Sequence, residues 1–380
     1  MKLVERVVHD AYGRLRGVPP MRSDAENIGD ETTVIVEAGT AAVTLEDESE
    51  FYGVNFPPSI TSWTRKHCHT LHDAYVVGDQ GHVFQRNGEF VNICPSFQRL
   101  DPKKIRRPIS WFAQRLRHPV FHLTGRDHEN HGHFLMQHLP RLMAARSFLA
   151  GKGIRPDILV PTGHEKWQGR YLGTLGYGPD QVIPCRKGTV SAKELYYVPM
   201  LWHESPLGPP HLYREMQECF RTFAGVSDTA LPTGKPIFVT REDAPTRRLS
   251  NEAEIIEICR RQFGEIDVMN LRQVPFVEQI RRFAAAPLVI GPQGQGLTNI
   301  IFSRNTRLLI LEAGQSACEV GWAQVYRDFA HMAGNSALRL LSGTPWPNDG
   351  DWAFAVAAFS EQLQRVVSLG LHHHRAPVLK

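Results

Sequence analysis

Residues 288–302, "LVIGPQGQGLTNIIF", decide how the chain is read. Leu288 to Ile290 has the apolar, branched character of a buried strand, and it stops at Gly291. Gly291, Gly294 and Gly296 then carry the chain through a turn, and the residues after them read as a short helix. Such a junction binds phosphate or other anions. The first helical turn has unpaired N–H groups, the helix dipole points its positive end outward, and glycine lets a ligand approach the backbone. The turn lacks the Lys-Ser/Thr of a P-loop and the spacing of the dinucleotide fingerprint. A strand-to-helix turn needing glycine only for steric reasons has the same sequence, so the surroundings must discriminate.

Outward from this turn, strands and helices alternate. "PIFVT" (236–240), "IDVMN" (266–270) and "RLLILE" (307–312) read as strands; "EAEIIEICRRQF" (252–263) and "VPFVEQIRRFAAA" (274–286) read as helices. Ser250 or Asn251 is the expected cap of the first helix, with Glu254 completing a capping box from Asn251. A second alternating run lies upstream: strand "HPVFHLTG" (118–125), helix "GHFLMQHLPRLMAARSFLAG" (132–151), strand "DILVP" (157–161), a helix around "KWQGRYLGTLG" (166–176), then "DQVIPC" (180–185) and "KELYYVP" (193–199). Alternation of this kind predicts a mostly parallel, covered sheet in each run, hence two α/β lobes with a cleft between them. Before them, "DAYVVGDQGHVFQRNGEFVNI" (73–93) predicts a small β meander turning at Asn87-Gly88. The small, polar stretch "TFAGVSDTALPTG" (222–234) marks the boundary, and "WAFAVAAFSEQLQRVVSLG" (352–370) predicts a last amphipathic helix.

With 380 residues, 42% hydrophobic and 22% charged, two domains of ordinary size are expected. No apolar window approaches the roughly 20 residues that cross a bilayer. The first segment, "MKLVERVVHDAYGRLRG", reads as an amphipathic helix; Lys2, Arg6, Arg14 and Arg16 make it basic and leave peripheral membrane contact open. Six cysteines scattered singly suit a reducing compartment, so the expected location is cytoplasmic, with peripheral contact at an inner membrane. A net charge of +4 without a long basic run argues against nucleic acid as a partner.

Two further stretches carry chemistry. In "IFVTREDAPTRRLSNEAEI" (237–255), Arg241 follows directly on a strand, where open α/β sheets bind ligands, and Arg247 and Arg248 follow in the loop. Arginine's planar fork suits phosphate oxygens, so these residues converging near the glycine turn would make a diphosphate cradle; a solvated basic loop is the alternative. In "HENHGHFLMQHLPRL" (128–142), four histidines precede an apolar helix. Their spacing matches no HExxH-type metal signature, which favours an acid/base centre or a polar helix cap over a His/carboxylate metal site. "HCHTLHD" (67–73) is metal-like in composition but sits in a strand-rich region.

In order, "NHGHFLMQHLPRL", "IFVTREDAPTRRLSNE" and "VIGPQGQGLTNIIFSRNTRLLILE" resemble the three recurring blocks of glycosyltransferase family 61. The resemblance implies a GT-B-type enzyme of two Rossmann-like lobes that moves a sugar from a nucleotide diphosphate donor, with inversion, without a cofactor or metal. The family's Asn and His fall on Asn130 and His133, and its following acid on Gln137; His131 is the second histidine of that block. The second block falls on Arg241, Asn251 and Glu252, joined here by Arg247 and Arg248. The third falls on Gly291, Gln293, Gly294, Gln295, Gly296, Leu297, Thr298 and Asn299, with a strand-end acid on Glu312. Gln293 stands where the family usually has histidine. His133, His131 and Asn130 are therefore the expected catalytic residues, and the residues of the second and third blocks the expected donor site.

The expected organisation is an acceptor-side α/β domain with the meander (1–225), a nucleotide-sugar-binding α/β domain (226–345) and a C-terminal helix and tail (346–380). The expected partners are a nucleotide-diphosphate sugar and a glycan or lipid-linked glycan acceptor, in bacterial surface-polysaccharide synthesis (capsule, exopolysaccharide or lipopolysaccharide). The alternatives are a catalytically inactive glycan- or nucleotide-binding relative, motivated by Gln137 and Gln293, and a metal-dependent hydrolase using the His128 to His138 cluster.

Overall fold

The structure, a computed structural model, describes residues 21–22, 31–78, 81–91, 113–125, 127–185, 189–199, 207–227, 232–314, 322–345 and 350–374. The basic amphipathic segment expected at the N-terminus lies outside them. The chain forms a mixed α/β fold of two compact units: Met1–Gly39 with Ser62–Gly208, and Thr40–Thr61 with Pro209–Lys380.

In the first unit the expected meander is present. Lys66–Val77, His82–Phe84 and Phe90–Val91 pair antiparallel in sequence, and Gly88, at φ 82, turns the second hairpin with its N–H donating to the Gln85 carbonyl. The "HCHTLHD" string lies inside the first of these strands. Val120–His122, Asp157–Pro161 and Val182–Cys185 form the parallel run expected downstream. The strand expected at "KELYYVP" is longer, Thr189–Tyr197, and joins the two patterns: it runs antiparallel to Lys66–Val77 and parallel to Val120–His122. Val190 and Leu195 enter one buried cluster together with their register partners Val76 and Leu71.

The helix after the histidine string has three parts: α-helical His131–His133, a π turn Phe134–His138 and α-helical Leu139–Gly151. Pro140 accounts for the π turn. Its ring would crowd the Met136 carbonyl and it offers no N–H, so the helix widens by one residue and Leu139 N–H donates to Phe134 O.

The second unit is built on five parallel strands: Ile237–Val239, Asp267–Met269, Leu288–Pro292, Arg307–Glu312 and Ser336–Leu341. Their spatial order is second, first, third, fourth, fifth. The order reverses between the first and third strands, which makes that point the switch where open α/β sheets bind ligands. Phe238, Ile290, Leu309 and Leu338 pack with Ile255 and Cys259 of helix Glu252–Phe263 and Phe359 and Leu363 of helix Val356–Ser368. Phe220, Phe276 and Phe283 surround Phe302, joining helices Pro210–Phe223 and Phe276–Ala285 to the turn that follows the third strand.

The returning segment Thr40–Thr61 is held in this unit by buried charge. Glu48 is 1% exposed and accepts from Arg339 (3.0 Å) and Arg327 (2.8 Å), while Asp47 accepts from Arg307 (2.6 Å). A carboxylate this dry is tolerated only with such partners. One local expectation is corrected. Asn251 stands at the N-cap of helix Glu252–Phe263, but its side chain makes no capping bond and no capping box forms. Its amide instead pairs with both backbone groups of Phe354, Nδ2 donating to the carbonyl at 2.8 Å and Oδ1 accepting from the N–H at 3.1 Å.

Candidate functional site

Both anion-friendly segments of the second unit end at its switch point. Strand Ile237–Val239 delivers Thr240 and Arg241, and the neighbouring strand Leu288–Pro292 delivers Gln293 and Gly294. Arg241 lies on Gly294. A Cβ at residue 294 would come within 1.9 Å of Arg241 Nη1, although the backbone there, at φ 173, suits any residue. A Cβ there would displace the flexible Arg241 guanidinium, and no left-handed conformation is involved. At Gly296 a Cβ would press on Leu271, whose Cδ1 is 2.8 Å from that position. Gly291 lies against the Val239 carbonyl oxygen, 3.0 Å from its would-be Cβ.

The guanidinium of Arg241 is held from behind. Nη2 donates to Thr246 O at 3.1 Å and Nε to Arg247 O at 3.3 Å, while the Arg241 backbone N–H donates to Glu252 Oε2 at 3.1 Å. Glu252 also accepts from the Thr240 hydroxyl. Burial raises the Glu252 carboxyl above its ordinary range, against the pull of those bonds. Arg241 is pushed the other way: burial, then the nearby Arg247, lowers its guanidinium below the usual arginine value. Two guanidinium groups at close quarters form a field that an anion would relieve. Arg247 sits at φ 56, in the left-handed region, and its buried Nε has no hydrogen-bond partner. Tyr326, on helix Trp322–Met332, faces both arginines; burial pushes its hydroxyl up to about 12 against their lowering effect.

The remaining residues of these blocks divide. Gln293 is 7% exposed and its Oε1 has no partner, so a buried acceptor stands at the strand end. After Gly294 the chain forms a 3-10 helix, Gln295–Phe302, in which Leu297 N–H donates to Gly294 O and the Thr298 hydroxyl to Gln295 O at 2.6 Å. Asn299 is buried and donates to Gln279 Oε1 at 2.9 Å. Arg248 is not brought to the cradle: it is exposed and binds Asp351 by Nη2 at 2.7 Å and Nε at 2.9 Å. Asn251 is committed to Phe354, as described above. Glu312 is buried at the end of its strand, 3.9 Å from Arg339 in the network that surrounds Glu48.

In the first unit Asn130 is the N-cap of the histidine helix, its Oδ1 accepting from His133 N–H at 3.2 Å. His133, half-buried, places Nδ1 2.7 Å from Gln137 Oε1, one turn along. His131 Nε2 lies 2.5 Å from the hydroxyl of Tyr171, which burial raises well above its ordinary value, and its ring is 6.0 Å from that of Trp167. His128 Nδ1 donates to Gly125 O at 2.5 Å, and His138 Nδ1 lies 3.4 Å from Arg141 Nη1. The four histidines thus face four different partners. Among the described residues no group of three or more His, Cys, Asp or Glu is placed to hold a metal ion. In the "HCHTLHD" strand, His69 stacks on Tyr197 at 4.7 Å and Asp73 pairs with Arg86.

Sequence reasoning missed Tyr326, Tyr171 and Asp351. Tyr171 reads as an ordinary helix residue, Tyr326 lies in a stretch to which sequence reading assigns no element, and Asp351 lies about a hundred residues from Arg248, its partner across the fold.

The glycine turn against a half-buried arginine at the switch point, and the capped helix presenting histidines, are where the sequence blocks that resemble glycosyltransferase family 61 fall. The comparison with known families agrees: residues 131–310 match the model of Glycosyltransferase 61, a span that begins at His131 and takes in both cradle segments. Over residues 131–310 the chain is similar to glycosyltransferase family 61, which supports a glycosyltransferase. No curated protein matches it.

Proposed function

We propose that the protein is an inverting glycosyltransferase of GT-B type, using a nucleotide-diphosphate sugar donor and a glycan or lipid-linked glycan acceptor. The observation that carries the donor reading is the packing of Arg241 on Gly294 at the switch point of the parallel sheet. Arg241 and Arg247 neutralise the departing diphosphate, helped by the backbone N–H groups that open the 3-10 helix. Gln293 offers its amide to the donor, and Glu312 is the acid assigned to donor hydroxyls.

His133 takes the proton of the acceptor hydroxyl as its oxygen attacks the anomeric carbon. The bond from that carbon to the diphosphate breaks on the opposite face, leaving the glycoside inverted and the nucleoside diphosphate as leaving group. Asn130 positions His133 by capping its helix. His131, bound to Tyr171, is the second candidate base. The family and the absence of paired cysteines in the sequence support synthesis of a bacterial surface polysaccharide from the cytoplasmic side. Among the described residues no helix is long and apolar enough to cross a membrane.

A nucleotide-binding relative without chemistry is the second reading, favoured by amides at 137 and 293 that cannot act as bases. A thermal-shift series with UDP- and GDP-sugars, and CMP-sugars as monophosphate controls, tests the first. One diphosphate sugar is expected to raise the melting temperature in wild type and not in Arg241→Ala. No shift with any of them contradicts the reading. Binding with neither transfer nor donor hydrolysis favours the second.

A further inference from the structure

We propose that Gln137 is a positioning residue that fixes the tautomer of His133, holding the proton on Nδ1 and the lone pair on Nε2. The inference rests on the reading of His133 as the base, but its central claim is about the ring itself. Gln137 is 1% exposed, and its Oε1 lies 2.7 Å from His133 Nδ1. An amide oxygen only accepts, so in this pair Nδ1 is the donor and carries the hydrogen. The basic nitrogen of the neutral ring is then Nε2.

The fold holds both partners in place. Asn130 caps the helix by accepting from the His133 N–H, so the histidine is anchored by its backbone at the first turn. Gln137 lies in the π turn that Pro140 imposes, with Phe134, Leu135, Met136 and His138 all buried around it. Gln137 Nε2 is buried with no hydrogen-bond partner. The side chain therefore leaves its amide donor unpaired while its oxygen meets the histidine, an arrangement that costs stability and sits beside the proposed base.

This changes what an amide at 137 means. It cannot take a proton, but taking one is not the task of a group that orients a base through its other nitrogen. A carboxylate would do the same orienting and also draw positive charge onto the ring; glutamine orients without adding charge.

Nitrogen-15 NMR of the histidine side chains tests the claim without any ligand, with the His133 signals assigned by their loss in His133→Gln. At neutral pH wild type is expected to show Nδ1 protonated and Nε2 unprotonated. Gln137→Leu is expected to move His133 to the Nε2–H form, and Gln137→Glu to restore Nδ1–H. An Nε2–H ring in wild type, or an unchanged tautomer in folded Gln137→Leu, overturns the proposal. Hydrolysis of the sugar nucleotide chosen by the thermal-shift series supplies the kinetic arm. Gln137→Leu is expected to lower kcat by roughly 10²-fold, with KM nearly unchanged, and Gln137→Glu to recover most of it. Equal kcat in all three overturns the positioning role. Full activity in His133→Gln, with the tautomer as expected, refutes the base assignment and leaves the Gln137 contact as a fixed tautomer only.

Discussion

At the scale of single residues, the two sites make separable demands. His133→Ala should lower transfer by about 10²–10⁴-fold, the usual contribution of a general base, with the nucleotide-induced thermal shift intact. Arg241→Ala should lose the nucleotide-induced shift together with transfer, since Arg241 both holds and neutralises the diphosphate. Loss of a charge-assisted contact of about 1.5–3 kcal/mol weakens donor binding roughly 10- to 100-fold, read as a lost shift at fixed ligand concentration. Arg248→Ala should leave both unchanged, since Arg248 is spent on Asp351 outside the cradle. Asn130→Ala removes a cap worth about 1 kcal/mol and loosens the turn that carries His133, so both melting temperature and kcat should fall.

At the scale of elements, the glycine turn is the feature most legible in the sequence and the one whose reason was least legible. The strand, the three glycines and the following helix could all be read, yet a steric turn and an anion turn have the same sequence. In the structure the space that a Cβ at 294 would fill is occupied by the guanidinium of Arg241, which follows the neighbouring strand. Gly294→Ala is therefore expected to displace Arg241 and abolish the nucleotide-induced shift, with little loss of folded protein in a circular dichroism melt. The same limit hid other contacts. The capping box at Asn251 was a local pattern, and it failed because a backbone segment about a hundred residues away offered that amide two bonds at once. The π turn was written in Pro140 but not in any periodicity, since a helix that widens by one residue keeps its apolar face buried. Alternation along the chain showed which elements exist; pairing between distant strands, such as Thr189–Tyr197 with Lys66–Val77, depended on partners that alternation does not name.

At the scale of the whole molecule, the return of Thr40–Thr61 to the second unit had no sequence signal, because its attachment is a buried ion network, with Phe51 in the apolar core, made to partners far along the chain. Removing one partner leaves uncompensated charge, so Glu48→Ala should destabilise by about 3–5 kcal/mol, read in urea denaturation of the full chain. Acid should also destabilise the fold. His122 and His331 are fully buried and lowered to about 3, and His69 to about 4, in each case chiefly by burial. Folded-state values below the unfolded value of about 6.5 mean that the unfolded chain binds the protons first. The stability these neutral rings contribute is present above about pH 6.5 and is lost progressively as pH falls toward 4. The urea midpoint should accordingly drop between pH 7 and pH 5. On the proposed function, the arginine–glycine cradle of the second unit holds the diphosphate of a sugar nucleotide. The most direct measurement of this is calorimetric titration of UDP and GDP into wild type and Arg241→Ala at fixed ionic strength. Saturable binding of one nucleoside diphosphate to wild type is expected, weakened roughly 10- to 100-fold by the substitution. Equal affinity in both proteins, or no binding of either nucleotide to wild type, would contradict it.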